Sequence, residues 1–468
     1  MTPPSPMSSP PIASLSPGAP GPAPRPGAGG HFRWSICGLL FFSVAINYID
    51  RNIIGILKGP LSKELGWGET DYAHVASAFQ FAYAFGYLLG GRLMDRIGTK
   101  RGLAFAVGGW SLAAMAHGLC SLLPPDRTVS LSLAWLGLGA FVVPLTVGGF
   151  MSARVVLGLA EGGNFPGAIK TVAEWFPVKE RALATGLFNA GTNVGAILCP
   201  FAVPRLYAAW GWPVTFYITG LLGFMWLAVW WRLYENPDRQ KRLSSAERDY
   251  IRSGQVFTAG KQEKVSWLWL LGQRPVWAYI AMSILAGPVW NIYMFFLPDF
   301  LQKRFHLELV AVGDWTAVFY LIASVGGIAG GWLPGWLLGR GWTVNAARKT
   351  SLLACAVAVL PIYLAPHVSQ VWLTVLIVGL AGSAHQGWSA NQFSFASDTM
   401  PRHAVSSLVG LGGFIAYFTG GFMTEIIGLI LKTTGSYGSI FAAASVMYLA
   451  PLLLVHLLVP RIGAARSD

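Results

Sequence analysis

Four ionisable side chains occupy apolar helix-like runs. The run "FFSVAINYIDRNIIGILKG", residues 41–59, sets Asp50 beside Arg51, and "MSARVVLGLAEGGNFPGAIKTVAEWFP", residues 151–177, carries Arg154 and Glu161. A charge at the centre of a membrane helix costs about 2.5–3.5 kcal/mol on insertion scales, so its presence asks for a use. Two cations and two acids suit an anion site coupled to a titrating carboxylate. A guanidinium grips a carboxylate through its fork of N–H donors, and a partly buried acid can take up and release a proton. Arg154 and Glu161 are seven residues apart, roughly two turns, and project from one helix face about 10 Å apart. Each must therefore meet a polar substrate or a partner on another helix. Two plainer readings stay open: Arg51, late in its helix, could snorkel to the surface, and the four groups could be permanent ion pairs without coupling.

Other polar groups in apolar runs extend the candidate site. Asn47 lies one turn before Arg51, with Tyr48 nearby, and Asn164 lies one turn beyond Glu161. Gly162, Gly163, Pro166 and Gly167 weaken the helix there, and broken helices expose backbone groups that are tolerated where they line a cavity. "AFQFAYAFGYLLGG" adds Gln80, Tyr83 and Tyr87, and "ATGLFNAGTNVGAILCPFAVP" adds Asn189, Thr192 and Asn193. The second half has "AGPVWNIYMFFLPDF", with Trp290, Asn291 and Tyr293, and "GSAHQGWSANQFSFASD", with His385, Gln386, Trp388, Ser389 and Asn391. Amides and hydroxyls bind sugar hydroxyls while aromatic rings cover C–H faces, so the set suits a carbohydrate. Hydrogen bonding between helices is the alternative for each residue. Glu425, in "FMTEIIGLIL", is a further acid without an assignment.

The elements that must position these groups follow from composition. Of 468 residues, 54% are hydrophobic and 11% charged, against about 25% charged in soluble domains, which marks an integral membrane protein. Apolar runs near 34–57, 72–94, 103–123, 150–172, 183–204, 213–233, 276–300, 310–338, 350–366, 370–395, 405–431 and 438–460 are each long enough to cross a ~30 Å core as a helix. They lack period-two alternation, which favours helices over an outer-membrane barrel. The expected architecture is all-α: twelve transmembrane helices in two six-helix bundles, residues 31–233 and 276–460, with a cytoplasmic linker over 234–275 and a substrate site between the bundles. The apolar stretch 124–149 is expected to be an external insertion or an extension of its neighbours. With the amino terminus in the cytoplasm, and with Arg92, Lys170 and Arg232 at the inner span ends counted with the inner loops, the tail, the inner loops and the carboxyl terminus carry 24 of the 33 Lys and Arg, the outer loops 7 and the span interiors 2. That asymmetry favours twelve spans with both termini cytoplasmic.

Residues 1–30 are Pro-, Ser-, Ala- and Gly-rich and are expected to be a disordered tail, with no secretory signal; residues 461–468 form a short second tail. Cys37, Cys120, Cys199 and Cys355 lie far apart without CxxC spacing, so neither a metal site nor a disulfide framework is expected. "LGLGAF" and "GLGGF" are weak matches to nucleotide loops, and there is no P-loop, hence no sign of ATP-driven transport. No nucleophile–base arrangement points to an enzyme, and the basic balance reads as membrane topology rather than nucleic-acid binding.

At "GGRLMDRIGTKR" a family pattern emerges: Gly91, Asp95, Arg96, Gly98, Lys100 and Arg101 resemble the loop between helices 2 and 3 of the major facilitator superfamily, departing at Thr99, where a basic residue is usual. "NYIDRNIIG", the run from Ala153 to Ile197 and "AHQGWSANQFSFASDTMP" together resemble the anion:cation symporter family, and within it the bacterial hexuronate transporters for glucuronate and galacturonate. The resemblance spans about residues 33–460, without the 124–149 stretch. It implies a proton-coupled, multi-pass inner-membrane symporter, expected to be a monomer, whose partners are a sugar-acid anion, protons and the bilayer, with no cofactor beyond the coupling proton. It implies that Arg51 binds the substrate carboxylate, that Asp50 and Glu161 act in proton coupling with Arg154 balancing them, and that Tyr83 lies near the substrate. Glu425 and the insertion depart from the pattern. A symporter for another sugar acid or small organic anion, and a drug:proton antiporter, are the alternatives.

Overall fold

Lipid offers no hydrogen-bond partners, so each crossing segment must satisfy its own backbone as a helix. The computed structural model of the protein describes residues 30–132, 140–253 and 266–462, and nearly all of the two expected tails lies outside this range. The described residues begin with α1 (Phe32–Ile56), a short α2 (Lys58–Leu65), α3 (Glu69–Ile97) and α4 (Thr99–Leu119). A β-hairpin follows, β1 (Thr128–Ser132) against β2 (Ala140–Pro144), antiparallel with Val129 opposite Val143. The fourth pass is split into α5 (Leu145–Glu161) and α6 (Asn164–Trp175). The fifth and sixth form α7 (Val178–Leu233), which turns at Gly211, where φ is +75°. A side chain would be strained there, and Pro213 then starts the returning helix.

After α8 (Ser245–Ser253) and α9 (Trp267–Leu271), the seventh pass comprises α10 (Arg274–Leu285), α11 (Val289–Asn291), a π-turn over Ile292–Phe296 and α12 (Leu297–Phe305). α13 (Leu309–Gly339), α14 (Val344–Val359) with its 3₁₀ extension to His367, α15 (Val371–Thr399), α16 (Arg402–Thr434) and the pair α17 (Gly438–Val446) and α18 (Leu449–Leu458) complete twelve helical passes among the described residues. Among the described residues, eight helical segments are long and apolar enough by composition to cross a membrane. The passes outside that set, α3, the α5–α6 pair and α15, carry many of the polar candidates.

The 124–149 stretch resolves differently from its expected bounds. Helix α5 already begins at Leu145, and the hairpin occupies the middle, with residues 133–139 outside the described range. The alternation in "TVSLS" favours a strand, and Val129 lies against Gly148 of α5. Part of the linker, residues 254–265, is likewise outside the described range.

Within the first six passes α1 packs on α7, α3 on α5 and α4 on both α5 and α7; in the second six, α13 and α14 pack on α15, and α10 on α16 and α18. The two groups meet along α3–α16 and α7–α13. Small residues set the closest approaches. A Cβ at Gly158 of α5 would lie 2.6 Å from the Phe79 carbonyl oxygen of α3, and Gly162 faces Gly86. The same device recurs where Gly326 and Gly330 of α13 meet Ser383 and Gly387 of α15. Both are small-xxx-small contacts that allow backbones to touch.

We call the face on which α1 begins the starting face and the other the opposite face. Side-chain bonds joining the bundles run from mid-depth to the opposite face. There Lys58 Nζ bonds Asp299 Oδ2 and Glu69 Oε2, each at 2.7 Å, Lys303 pairs with Glu69 and with Asp299, and the Tyr437 hydroxyl donates to Asp299. The Tyr72 hydroxyl donates to the Phe295 carbonyl at 2.8 Å, and Arg205 forks onto Asp314. This ring closes the opposite face.

Gly158→Val should force α3 and α5 apart at a cost of about 1–3 kcal/mol, as overpacking does. A thermal unfolding series in detergent checks this: its midpoint should fall well below that of Gly186→Val, whose added Cβ meets nothing within 4 Å.

Candidate functional site

The site forms where α1, α3, α5 and α16 converge at mid-depth. Arg51 comes from the last turns of α1 but does not reach the surface: only 1% of it is exposed. Its Nε donates to Glu161 Oε2 at 3.1 Å, its Nη2 to Asn47 Oδ1 at 3.1 Å, and its Nη1 to the Tyr417 hydroxyl at 3.4 Å. Its guanidinium also lies over the rings of Tyr83, Tyr48 and Phe79, at 4.3, 4.8 and 5.3 Å. Rings on several sides favour a desolvated cation through their quadrupoles. Tyr83 and Tyr417 approach to 4.3 Å across the bundle interface, so an aromatic pair covers Arg51.

Arg154 and Glu161 find separate partners on α1, as their spacing requires. Glu161 takes the Arg51 ion pair, while Arg154 Nη1 donates to the Arg51 carbonyl at 3.4 Å. Arg154 Nε and Nη2, Glu161 Oε1 and both oxygens of Asp50 are buried without a hydrogen-bond partner among the described residues. The four charges are therefore not two closed ion pairs. Arg51 and Glu161 are joined, whereas Asp50 and most of the Arg154 fork keep unused hydrogen-bonding capacity. The glycine pair Gly162–Gly163 ends α5 immediately after Glu161. The restart turns Asn164 to accept from Ser43 Oγ at 2.8 Å, so it braces α1 against α6.

In the second bundle Trp290 stacks on His385 at 5.0 Å, and His385 Nδ1 lies 2.5 Å from the Tyr448 hydroxyl. Tyr293 is fully buried with its hydroxyl unpartnered among the described residues, on the π-turn that follows Asn291. Such π-turns often accompany functional positions. Asn291 Oδ1 accepts from Gln80 Nε2 at 2.7 Å, bridging the bundles. Asn391 spends its amide donor on the Gly330 and Gly387 carbonyls, both at 2.9 Å, which fixes α15 to α13. Asn189 is exposed, and Asn193, Gln386 and Ser389 are half-buried.

Sequence reading left out Tyr417 and Tyr320. Tyr320 donates to Asn52 Oδ1 at 3.3 Å, another link between bundles. Both are lone tyrosines in apolar helices, and only the packing of α3 on α16 and of α1 against α13 shows what they face. At the starting face the loop motif is built around Gly98, whose φ of +81° joins α3 to α4. Asp95 pairs with Lys170 at 2.8 Å and Lys100 with Glu235 at 3.0 Å; this hydrogen bond holds the Glu235 carboxyl below its ordinary range. Arg96 and Arg101 are exposed, Gly91 half-buried, and Thr99 donates to Glu174 at 2.7 Å.

Comparison with known proteins adds to this geometry. The model of the Major Facilitator Superfamily matches residues 40–425. The hexuronate transporter of Escherichia coli K12 is 29% identical over 432 residues, covering 90% of this chain and 93% of that one. The galacturonate transporter of Dickeya chrysanthemi is 31% identical over 306 residues, covering 64% and 81%. Among solved structures, the xylose transporter XylE from E. coli in an inward-open conformation superposes with a TM-score of 0.70 at 12% identity, over 93% of this chain and 98% of that one.

The Arg51–Glu161 pair yields a stability test. Glu161→Leu strands a buried guanidinium and should destabilise the protein by about 3–5 kcal/mol, whereas Arg51→Met with Glu161→Leu should recover much of the loss. Unfolding midpoints of the two singles and the double measure it; additive losses would show that the pair is not coupled.

Proposed function

The chain belongs to the major facilitator superfamily, and from that premise we propose that it is a proton-coupled symporter that imports a hexuronate, glucuronate or galacturonate, by alternating access between its two bundles. It is not an enzyme: transporters of this superfamily release their substrate unchanged. We place it in a bacterial inner membrane as a monomer with both termini cytoplasmic, which makes the starting face the inner one. The observation that carries the reading is Arg51, buried at mid-depth and held by groups of both bundles.

A sugar-acid carboxylate approaching Arg51 competes with Glu161 for the same guanidinium. The fork can take one carboxylate in good bidentate geometry, so substrate entry loosens Glu161. A free carboxylate in a dry site is costly and is relieved by a proton, which couples anion binding to protonation. Asp50, whose oxygens have no close hydrogen bond and face the Thr219 hydroxyl, is the second acid available for this exchange, and Arg154 balances the two. The Asn, Gln, His and aromatic side chains of the second bundle supply the chemistry for sugar hydroxyls and C–H faces. Its Tyr417 hydroxyl reaches Arg51 only while the bundles are together, so it reports closure to the charged site. One proton with one monoanion moves no net charge; two move a positive charge, adding about 2.3 kcal/mol of drive per 100 mV.

Uptake of labelled glucuronate and galacturonate into proteoliposomes tests the proposal. An inward proton gradient should drive accumulation that collapses with the gradient, and Arg51→Ala should reduce it at least about a hundredfold, the loss of a buried charge-assisted contact. Survival of uptake in that variant would remove Arg51 from the substrate. If other sugar acids compete and hexuronates do not, the substrate class stands and the named sugars fall.

Asp50→Asn separates coupling from binding. It should retain exchange of internal for external substrate while losing gradient-driven accumulation. Loss of both would make Asp50 a binding or structural residue.

A further inference from the structure

At the starting face, the ends of α4, α6 and α7 enclose a cavity of about 540 Å³ that transport does not account for. The first turn of α4 contributes Lys100 and Arg101, α6 contributes Glu174, and the segment leaving α7 contributes Glu235 and Arg239. The two acids are already engaged. Thr99 and the Tyr234 hydroxyl donate to Glu174 at 2.7 and 2.6 Å, and Glu235 accepts from Lys100 at 3.0 Å and from the Asn236 amide at 3.2 Å. Arg101 and Arg239 are exposed, and among the described residues neither guanidinium makes a hydrogen bond or an ion pair. Helix α4 reinforces their field: its cap is a glycine, Gly98, and its first turn holds no acid. The amides at such an end favour an anion.

The surroundings of the cavity are those of a bilayer edge. Trp231, in the last turn of α7, forms one wall; it is 54% exposed, with Lys100 Nζ 5.4 Å from its ring centre. Tryptophan concentrates at the level of lipid headgroups. One turn beyond Arg101 on α4, Phe105 is 68% exposed, and two turns further Leu112 is 62% exposed. Between them a Cβ at Gly108 would meet only Leu227 of α7. A shallow apolar groove therefore runs from the cavity down the α4–α7 seam toward the middle of the membrane. A soluble anion would use the cations alone. A phospholipid would use both features, its phosphate the cations and its acyl chain the groove.

We propose that this cavity is the headgroup site of an anionic glycerophospholipid from the starting-face leaflet, with its phosphate held by Arg101, Arg239 and the first turn of α4 and one acyl chain lying along Phe105, Gly108 and Leu112. Guanidinium forks match phosphate oxygens in bidentate geometry, and basic recesses between spans suit such headgroups. Lys100 stays with Glu235 and supports the Trp231 wall. The lipid fastens the start of α4 to the segment after α7, both in the first bundle. The site depends on neither the carried anion nor the coupling proton.

Native mass spectrometry of the full-length protein in detergent, titrated with dioleoylphosphatidylglycerol or dioleoylphosphatidylcholine, measures the affinity of the first lipid bound. The parent should bind the anionic lipid at least about tenfold more tightly, the effect of two cations at a headgroup. Arg101→Gln with Arg239→Gln should lose most of that preference. Arg92→Gln with Arg461→Gln removes the same charge from exposed positions outside the cavity and should keep it. A parent without the preference, or equal losses in the two double variants, overturns the site. Inorganic phosphate, titrated against the unfolding midpoint in lipid-free detergent, should stabilise the parent far less than the anionic lipid does. Equal stabilisation, lost in the cavity variant, gives the cavity to a soluble anion and overturns the lipid. Should that variant fail to fold, the parent alone decides. Phosphatidylglycerol with a diazirine on one acyl chain, illuminated in phosphatidylcholine nanodiscs, should label the peptides holding Phe105, Leu112 and Trp231 above all others. Labels spread evenly over the lipid-facing surface overturn the proposal.

Discussion

A guanidinium withdrawn from water organises the middle of the first bundle and reaches across to the second. Arg51 cannot shed its charge, so its N–H fork has to be satisfied from the protein. α1 supplies Asn47, α5 supplies Glu161 and α16 supplies Tyr417, with Tyr48, Phe79 and Tyr83 covering its faces. Three elements from two bundles are thereby tied to one side chain. The glycine contacts of α3 with α5 and the break after Glu161 serve this arrangement, since they set the depth at which the acid meets α1. An arginine free to snorkel would impose none of this.

Much of the scaffold was legible because lipid imposes one local rule. A segment that must satisfy its own backbone shows as an apolar run, and each of the twelve runs overlaps a helical pass of the described chain. The charged heart of the site was legible for the opposite reason: Asp50, Arg51, Arg154 and Glu161 break that rule at a cost. Partner assignments were harder to read. Spacing could place Arg154 and Glu161 on one face, but only tertiary packing gives the ion pair to Glu161 and leaves Asp50 without a hydrogen bond among the described residues. Asn391 and Asn164 look equally suited to a sugar in sequence. In the structure each fastens one helix to another, as amides in apolar helices commonly do. Tyr417 and Glu425 were obscured because their meaning lies in the first bundle, more than three hundred residues away in the chain. The hairpin in the 124–149 stretch was hidden by its apolarity, since β-branched and aliphatic residues serve a short strand as well as a helix.

The two bundles hold different chemistry at mid-depth. The first contains the buried charges around Arg51; the second faces it with hydroxyls, amides and aromatic rings, among them Tyr417, Asn291, Trp290 and His385. A charged group cannot be moved cheaply from one set of partners to another in a dry interior, whereas a hydroxyl or ring can change neighbours at small cost. On the alternating access proposed above, this division would let the second bundle slide or tilt while the charge network stays with the first. Tyr417 suits a sliding contact of this kind. Its bond to Arg51 is long, at 3.4 Å, and its loss leaves Arg51 with Glu161 and Asn47.

Closure at the opposite face follows different physics. Lys58 and Asp299 are nearly fully buried there, so separating the bundles must rehydrate or re-pair them. Breaking a buried pair is costly, and water entering from the nearby face can take over its hydrogen bonds as the bundles part. Deeper, His74 and the Ser77 hydroxyl of α3 meet Glu425 of α16, so the closure runs in layers from the face toward the middle.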